Sequence, residues 1–268
     1  MSNNKISVII ITHNTEEFLL GCLKSVKWAD EILVVDKKST DNTCKIAEKF
    51  GAKVVKFDGE AFDEWRNFAA EQAKHPWVFY VDYDERVTSE LRDEIKVMID
   101  GDDEFAAFQV LRLNYWWGRK FTACGAGNDY VTRLFKKDKL TKWFGQIHES
   151  AEVDGKIGSL SEPLIHFTHR DLVSGLKKSY NWTRMEAELF MDAGHPPITW
   201  WRLAKVTMSA FHKKYFKEKG YTHGTEGFIE SAVQAINRFM VYEQLWEMQQ
   251  KPSLSERYHE LDDELFGE

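Results

Sequence analysis

Four short runs of β-branched and aromatic residues, separated by stretches of helical spacing, constrain this chain more than any other feature. Lys5 to Thr12 reads KISVIIIT, Glu31 to Asp36 reads EILVVD, Lys53 to Phe57 reads KVVKF, and Trp77 to Asp82 reads WVFYVD. Between the first two, Phe18, Leu19, Cys22, Leu23 and Val26 recur at helical intervals. Ser39, Thr40, Asp41, Asn42 and Thr43 supply caps for a second helix running to about Phe50, and Asp63 to Lys74 reads as a third. Strands alternating with helices imply right-handed crossovers, hence an α/β fold with a mostly parallel sheet and helices on both faces.

In such a sheet ligands bind beyond the carboxyl ends of the strands, near a switch in strand order. Thr12, Asp36 and the pair Asp82/Asp84 each fall at a predicted strand end. If the strand continues through Asp84, Asp82 and Asp84 share one face at a spacing of roughly 7 Å. Two carboxylates that close repel unless a cation or hydrogen-bond donors stand between them. A hard divalent ion whose shell is completed by phosphate oxygens satisfies that demand; the structural alternative is a strand end leading into a helix near Thr88. No GxGxxG follows the first strand, where the chain reads Thr12-His13-Asn14, and no GxxxxGK[ST] loop occurs. Any phosphates must then be held by metal and side chains, and Asp36 is placed to accept hydrogen bonds from a base or ribose.

The ordered set Ile9-Ile10-Ile11-Thr12-His13-Asn14, Val34-Val35-Asp36-Lys37-Lys38-Ser39-Thr40-Asp41, Arg66-Asn67 and Val81-Asp82-Tyr83-Asp84-Glu85 resembles family 2 glycosyltransferases of the GT-A fold. Within that family it is most similar to bacterial enzymes that extend the lipopolysaccharide core, of the β-1,4-glucosyltransferase type. The resemblance spans about residues 5–170. It implies a nucleotide-sugar donor, a Mg²⁺ or Mn²⁺ ion, and inversion at the anomeric carbon by direct displacement. By the same resemblance Thr12 and Asp36 hold the nucleobase, Arg66 lines the nucleotide pocket, Asp82 lies near the ribose and Asp84 ligates the metal. Phe144-Gly145-Gln146-Ile147-His148-Glu149 looks like the segment carrying the catalytic base, which makes Glu149 the candidate, with Phe144 and Ile147 as apolar surroundings. Pro163 to His169 resembles a later segment whose first histidine, His166, joins the metal shell; His169 is read as an orienting neighbour. Lys37 and Lys38 replace the family's small residues, and Cys124 to Asn128 matches the family poorly.

The chemistry asks for these residue types. An acceptor hydroxyl needs a general base beside it, and the leaving nucleoside diphosphate gains negative charge that a cation, Arg66 or Lys37 would offset. Two rival readings keep the sheet but change the activity. One is a sugar-phosphate nucleotidyltransferase, which wants a glycine- and arginine-rich first loop; the other is a non-catalytic nucleotide-sugar-binding protein.

Beyond about Asp171 the pattern changes to long helices, so the expected division is a catalytic domain at 1–170 and a helical region at 171–268. The segment 199–219 carries Arg202, Lys205, Lys213, Lys214, Lys217 and Lys219 against Glu218 alone, with Trp200, Met208, Phe211 and Tyr215 at helical spacing. A basic, tryptophan-bearing amphipathic helix is a candidate for lying on an anionic membrane surface. A third helix from about Thr225 to Gln249 presents Phe228, Phe239, Tyr242 and Trp246 for packing or a homodimer, and an acidic peripheral tail follows Pro252. Apolar residues at 43% and charged ones at 29% fit a globular protein, and a net charge of −7 argues against nucleic acid as a partner. Three cysteines at unrelated spacings, with no apolar leader at the N-terminus, suggest a cytoplasmic protein, and the basic helix with the family's lipid-linked acceptors implies a peripheral place on the inner face of the cytoplasmic membrane.

Overall fold

A computed structural model describes residues 4–59, 61–101, 104–145, 149–168 and 171–267. It forms two compact units, one of Met1–Lys120 with Asn128–Thr168 and one of Phe121–Gly127 with His169–Glu268. The first opens with β1 (Ile6–Thr12), α1 (Glu16–Ser25), β2 (Glu31–Asp36), α2 (Thr43–Phe50), β3 (Lys53–Lys56), α3 (Phe62–Gln72) and β4 (Trp77–Tyr80). These four strands lie in the order β3-β2-β1-β4 and all run parallel. The chain therefore moves outward from β1 through β2 to β3 and then returns to the other side of β1. The reversal point between β1 and β4 is where a parallel sheet opens a crevice, and Thr12 ends β1 there while Asp82 follows β4 by two residues.

Alternation along the strands decides what each face buries. Val8, Ile10, Val34, Phe79 and Val81 point to one side, where Leu19, Cys22 and Leu23 of α1 cover them together with Leu91, Ile95 and Ile99 of α4 (Ser89–Gly101). Ile9, Ile11, Leu33, Val35, Val78 and Tyr80 point to the other, under Trp65 and Ala69 of α3. Both faces are closed, which is why the strands read as continuous apolar runs. Helix α2 stops where Gly51 turns left-handed at φ 89.

After β4 the sheet changes character. It continues with β5 (Glu85–Arg86), β6 (Phe105–Trp116), β7 (Arg119–Lys120), β8 (Tyr130–Lys136), β11 (Lys156–Ser159) and β12 (Leu164–Thr168), in the order β4-β8-β6-β12-β5 with β7 and β11 also on β6. Strand β8 is antiparallel to both β4 and β6, while β12 runs parallel to β6. A separate hairpin pairs β9 (Leu140–Phe144) with β10 (Ser150–Val153). The α/β sheet with helices on both faces is thus observed, and the antiparallel insertion was outside the reading of four alternating strands.

The second unit holds α5 (Leu172–Asp192), α6 (Trp200–His212), a π-type turn at Lys213–Lys217, α7 (Gly224–Met248) and α8 (Leu254–Phe266). Thr199 caps α6 by accepting from Arg202 N at 3.3 Å. Ala187, Ile198, Val241 and Leu245 form the small core, with Phe190, Leu203 and Tyr242 packed against it. The expected acidic tail is a helix, α8, started by a capping box between Ser253 and Glu256, and from Ser255 onward its residues are exposed. No helix among the described residues is long and apolar enough to cross a membrane. The three cysteines are free.

Glu230 of α7 is buried and accepts from Gln234 Nε2 at 2.7 Å. Burial raises its carboxyl to about 7, against the hydrogen bond from Gln234 and the charge of Lys214. Between its ordinary value near 4.5 and 7 the folded state holds more protons than the unfolded one, so stability falls as pH rises through that window. Glu230→Gln is expected to flatten this dependence, recovering up to about 3 kcal/mol at about pH 8 and little at about pH 5. Urea denaturation at both pH values checks it; an equal effect at the two would contradict the assignment.

Candidate functional site

The structure corrects the expected geometry of the two aspartates. Strand β4 ends at Tyr80, not Asp82, and the chain turns: Glu85 N donates to Asp82 O at 2.9 Å, and Asp82 N donates to Glu85 Oε2 at 2.8 Å. Asp82 and Asp84 therefore do not alternate along an extended strand, and they acquire different surroundings.

Asp82 is met by arginines. Arg133 of β8 donates to its Oδ2, and Arg66 Nη2 of α3 lies 3.4 Å from its Oδ1. Burial alone would raise this carboxyl, but Arg133, Arg66 and Arg112 outweigh it and hold it well below the usual range. The same Arg133 reaches Glu85 Oε1 at 3.2 Å, and Arg112 Nη1 of β6 stands 3.7 Å from that oxygen. Glu85 is fully buried, and burial shifts its carboxyl upward in spite of Arg133. The repulsion expected between neighbouring acids is thus offset by guanidinium groups of the protein at Asp82 and Glu85.

Asp84 is buried. Its backbone carbonyl accepts from Phe167 N at 2.9 Å, and its Oδ1 lies 3.9 Å from His166 Nε2. His166 sits opposite Glu85 in β5 and beside Asn114 in β6. Arg112 makes a two-pronged contact with Asp129, at 2.9 and 2.8 Å, and Asn114 Nδ2 donates to Asp129 at 3.0 Å. Donation by the Asn114 amide leaves its Oδ1 as acceptor toward His166 Nδ1 at 2.7 Å. The network therefore assigns the proton to Nδ1 and the lone pair to Nε2, on the side of Asp84. Burial, then the charge of Arg112, pushes the imidazole down to about 3. A neutral imidazole with its lone pair toward a carboxylate is a donor set that suits a divalent ion.

Arg66 links this cluster to Glu149. Its Nε lies 3.7 Å from Glu149 Oε1, and its guanidinium stacks 4.9 Å from the Trp143 ring and 5.6 Å from Tyr80. Asn67, the next residue of α3, donates to Trp143 O at 2.9 Å and accepts from Trp143 N at 2.7 Å. That exchange pins β9 to α3. Phe144, expected to shield Glu149, is 48% exposed. Gln146, Ile147 and His148, and likewise His169, lie outside the described residues. Among the described residues Arg66 Nε and Nη1 and Arg133 Nε have no hydrogen-bond partner.

Thr12 and Asp36 form a separate node at the ends of β1 and β2. Thr12 Oγ1 donates to Asp36 Oδ1 at 3.1 Å, while Ser39 gives its hydroxyl to the same oxygen and its N–H to Oδ2 at 2.9 Å. Both residues are buried, so Asp36 organises the 37–43 loop from within. Lys38 pairs with Asp58 at the surface.

Among the described residues no group of three or more His, Cys, Asp or Glu side chains gathers as a metal nest. Asp84 and His166 offer two donors, and phosphate oxygens or water would have to complete an ion's shell. Sequence reasoning missed Glu85, Arg112, Asn114, Asp129 and Arg133. One signal was present: Arg133 is a lone cation in the run Val131-Thr132-Arg133-Leu134-Phe135, and Arg112 and Asn114 share one face of β6 by the period of two.

Arg133 is the keystone of the buried charges. Arg133→Met is expected to cost about 3–5 kcal/mol in urea denaturation, because Asp82 and Glu85 lose the partner they share. Arg133→Lys should recover only part of that: Nη2 alone reaches both carboxylates, and an ammonium on a flexible stem is not pre-organised to hold the two. A loss below about 1 kcal/mol would place the pair in effective contact with solvent.

A model of the family described as Glycosyl transferase family 2 matches residues 7–150. The chain is 30% identical over 249 residues to an uncharacterized glycosyltransferase of Rickettsia conorii, a match covering 88% of each sequence. It is 26% identical over 252 residues to the lipopolysaccharide core biosynthesis glycosyltransferase LpsC of Rhizobium meliloti, covering 90% of this chain and 92% of the relative. Among solved structures, glucosyl-3-phosphoglycerate synthase from Mycobacterium tuberculosis aligns at TM-score 0.48 and 15% identity, over 72% of this chain and 81% of that one.

Proposed function

The chain belongs to glycosyl transferase family 2, and we propose that it moves a hexose, with inversion, from a nucleotide diphosphate sugar to a glycan or lipid-linked acceptor. The donor is read as a uridine diphosphate sugar. The observation that carries this is the unbroken line of contacts from Glu149 through Arg66, Asp82, Arg133, Glu85, Arg112, Asp129, Asn114 and His166 to Asp84. It links the five residues that the family resemblance singled out, Glu149, Arg66, Asp82, Asp84 and His166. The likeness to LpsC supports the acceptor class.

Each side chain has a role in this reading. Arg66, whose buried Nη1 makes no hydrogen bond among the described residues, donates to diphosphate oxygens and counters the charge that builds on the leaving group. Thr12 and Asp36 shape the floor on which the base rests, Asp36 acting through the loop it fastens. Asp82, fixed by two arginines, holds the turn that aims Asp84 toward His166. Asp84 and His166 would hold Mg²⁺ or Mn²⁺, which supplies Lewis-acid stabilisation to the departing diphosphate. Glu149, beside a guanidinium, takes the proton of the acceptor hydroxyl as that oxygen attacks. Inversion needs this one base and no second carboxylate.

Two measurements test the reading. Thermal shift against a panel of nucleotide sugars, with and without Mn²⁺, should show stabilisation by a uridine diphosphate sugar that grows with the metal. Asp84→Asn and His166→Ala should each remove the metal-dependent increment; an undiminished increment in both would refute the metal assignment. Glu149→Gln should lower transfer by at least about a hundredfold while donor binding stays within about twofold. Wild-type turnover in that variant would move the base elsewhere.

A further inference from the structure

The helical unit carries a second concave feature that the transfer chemistry does not use. A groove of about 610 Å³ lies between α6 and α7, and Arg202, Lys205, Lys213, Lys214 and Arg238 line it with no acidic residue among the lining side chains. Two carboxylates form ion pairs with these cations among the described residues: Glu186 with Arg238 at 2.7 Å, and Glu218 with Lys214 at 2.8 Å and Lys213 at 3.7 Å; buried Glu230 also feels the charge of Lys214. Arg202 donates to the carbonyls of Pro196 and Pro197, which leaves its charge uncompensated. The segment 199–217 contains no Asp or Glu in a chain whose net charge is −7.

The adjoining face of α6 is apolar and turned outward. Trp201, Lys205, Met208, His212 and Phe216 follow one another at helical spacing and are all exposed, Trp201 at 63% and Met208 at 71%. Lys205 belongs to both faces. The helix thus sets bulky apolar side chains next to a cationic groove, on a unit that has no membrane-crossing helix among its described residues. A soluble anion would account for the groove but not for the exposed tryptophan and methionine. An apolar partner would account for these but not for an acid-free groove.

We propose that the α6–α7 groove binds the phosphate headgroup of an anionic phospholipid while Trp201, Met208 and Phe216 enter the interfacial layer, so that this unit lies on the bilayer surface. Both attractions then act on one helix: apolar side chains leave water, and unneutralised cations meet phosphate. The site deepens the lipid-linked acceptor reading by naming the surface, yet it stands on features independent of the transfer site.

Co-sedimentation of the full chain with vesicles tests it. Binding is expected to vesicles of equal parts phosphatidylcholine and phosphatidylglycerol, to fall at high salt, and to be weak on phosphatidylcholine alone. Lys205→Glu with Lys213→Glu should lower vesicle affinity at least about tenfold, and Trp201→Ser with Met208→Ser should lower it comparably. Transfer to a soluble acceptor should be unchanged in both, which separates failure here from failure of the transferase reading. Glycerol phosphate that binds the groove and stabilises the chain, with no vesicle binding, would identify a soluble-anion site and overturn the proposal. Equal binding to neutral and anionic vesicles, or a dimer in ultracentrifugation that Trp201→Ser abolishes without any vesicle binding, would overturn it as well.

Discussion

The acids crowded beyond β4, with Glu85 fully buried among them, are tolerable because guanidinium groups alternate with them. Asp82 lies between Arg66 and Arg133, Glu85 between Arg133 and Arg112, and Asp129 is clasped by Arg112. Each arginine touches two acids or an acid and an aromatic ring, so none of these charges is paired in isolation. That arrangement costs less than separate ions would, since Asp82 and Glu85 each have two cations beside them. It also fixes the Asp82–Glu85 turn, because the Glu85 carboxylate that accepts from Asp82 N is itself held by Arg133. The direction in which Asp84 faces follows from that turn.

The mixed topology is what makes the alternation available. A purely parallel continuation beyond β4 would place apolar side chains against it from both neighbours. Strand β8 enters antiparallel instead, bringing Leu134 and Phe135 alongside β4 and carrying Arg133 to the place where the chain leaves the sheet. Strand β6 then contributes Arg112 and Asn114, and β12, parallel to it, sets His166 beside Asn114. The site is therefore assembled from strands far apart in sequence, while the parallel half supplies a rigid floor. His166 shows the consequence. Held neutral by burial and by Arg112, it is suited to be a ligand rather than a counter-ion for Asp84.

The parallel half was legible in the sequence because its signals are local. Continuous β-branched runs such as Ile6–Thr12 and Glu31–Asp36 have to be buried on both faces, and the stripes of Leu19, Cys22 and Leu23 and of Trp65 and Ala69 say which helices cover them. The antiparallel half was opaque for the opposite reason. Its strands carry arginines and asparagines on their faces, which read as solvated until the partner acids are brought up from residues 82–85 and 129. The strand end was misjudged by the same logic: WVFYVD looks uniformly extended, and the hydrogen bonds that stop it come from Glu85. In the helical unit spacing gave the helices, but spacing alone could not say whether Trp201 and Met208 pack or face water.

Arg66 shows why residue type matters at the centre of this arrangement. Its guanidinium stacks on Trp143 and Tyr80 while one nitrogen faces Asp82 and another faces Glu149. A lysine is a point charge on a flexible stem; it could approach one carboxylate but could not stack on the rings and address both at once. Tyr80 in turn donates its hydroxyl to the Arg66 carbonyl at 2.8 Å, and Asn67 grips both backbone groups of Trp143. The ring platform and the cation are thus fixed by adjacent residues of a single helix. Arg66 thus stands between Asp82 and Glu149 on a helix that Asn67 fastens to β9. Rigid elements, α3 and β9, hold the cation that both carboxylates face.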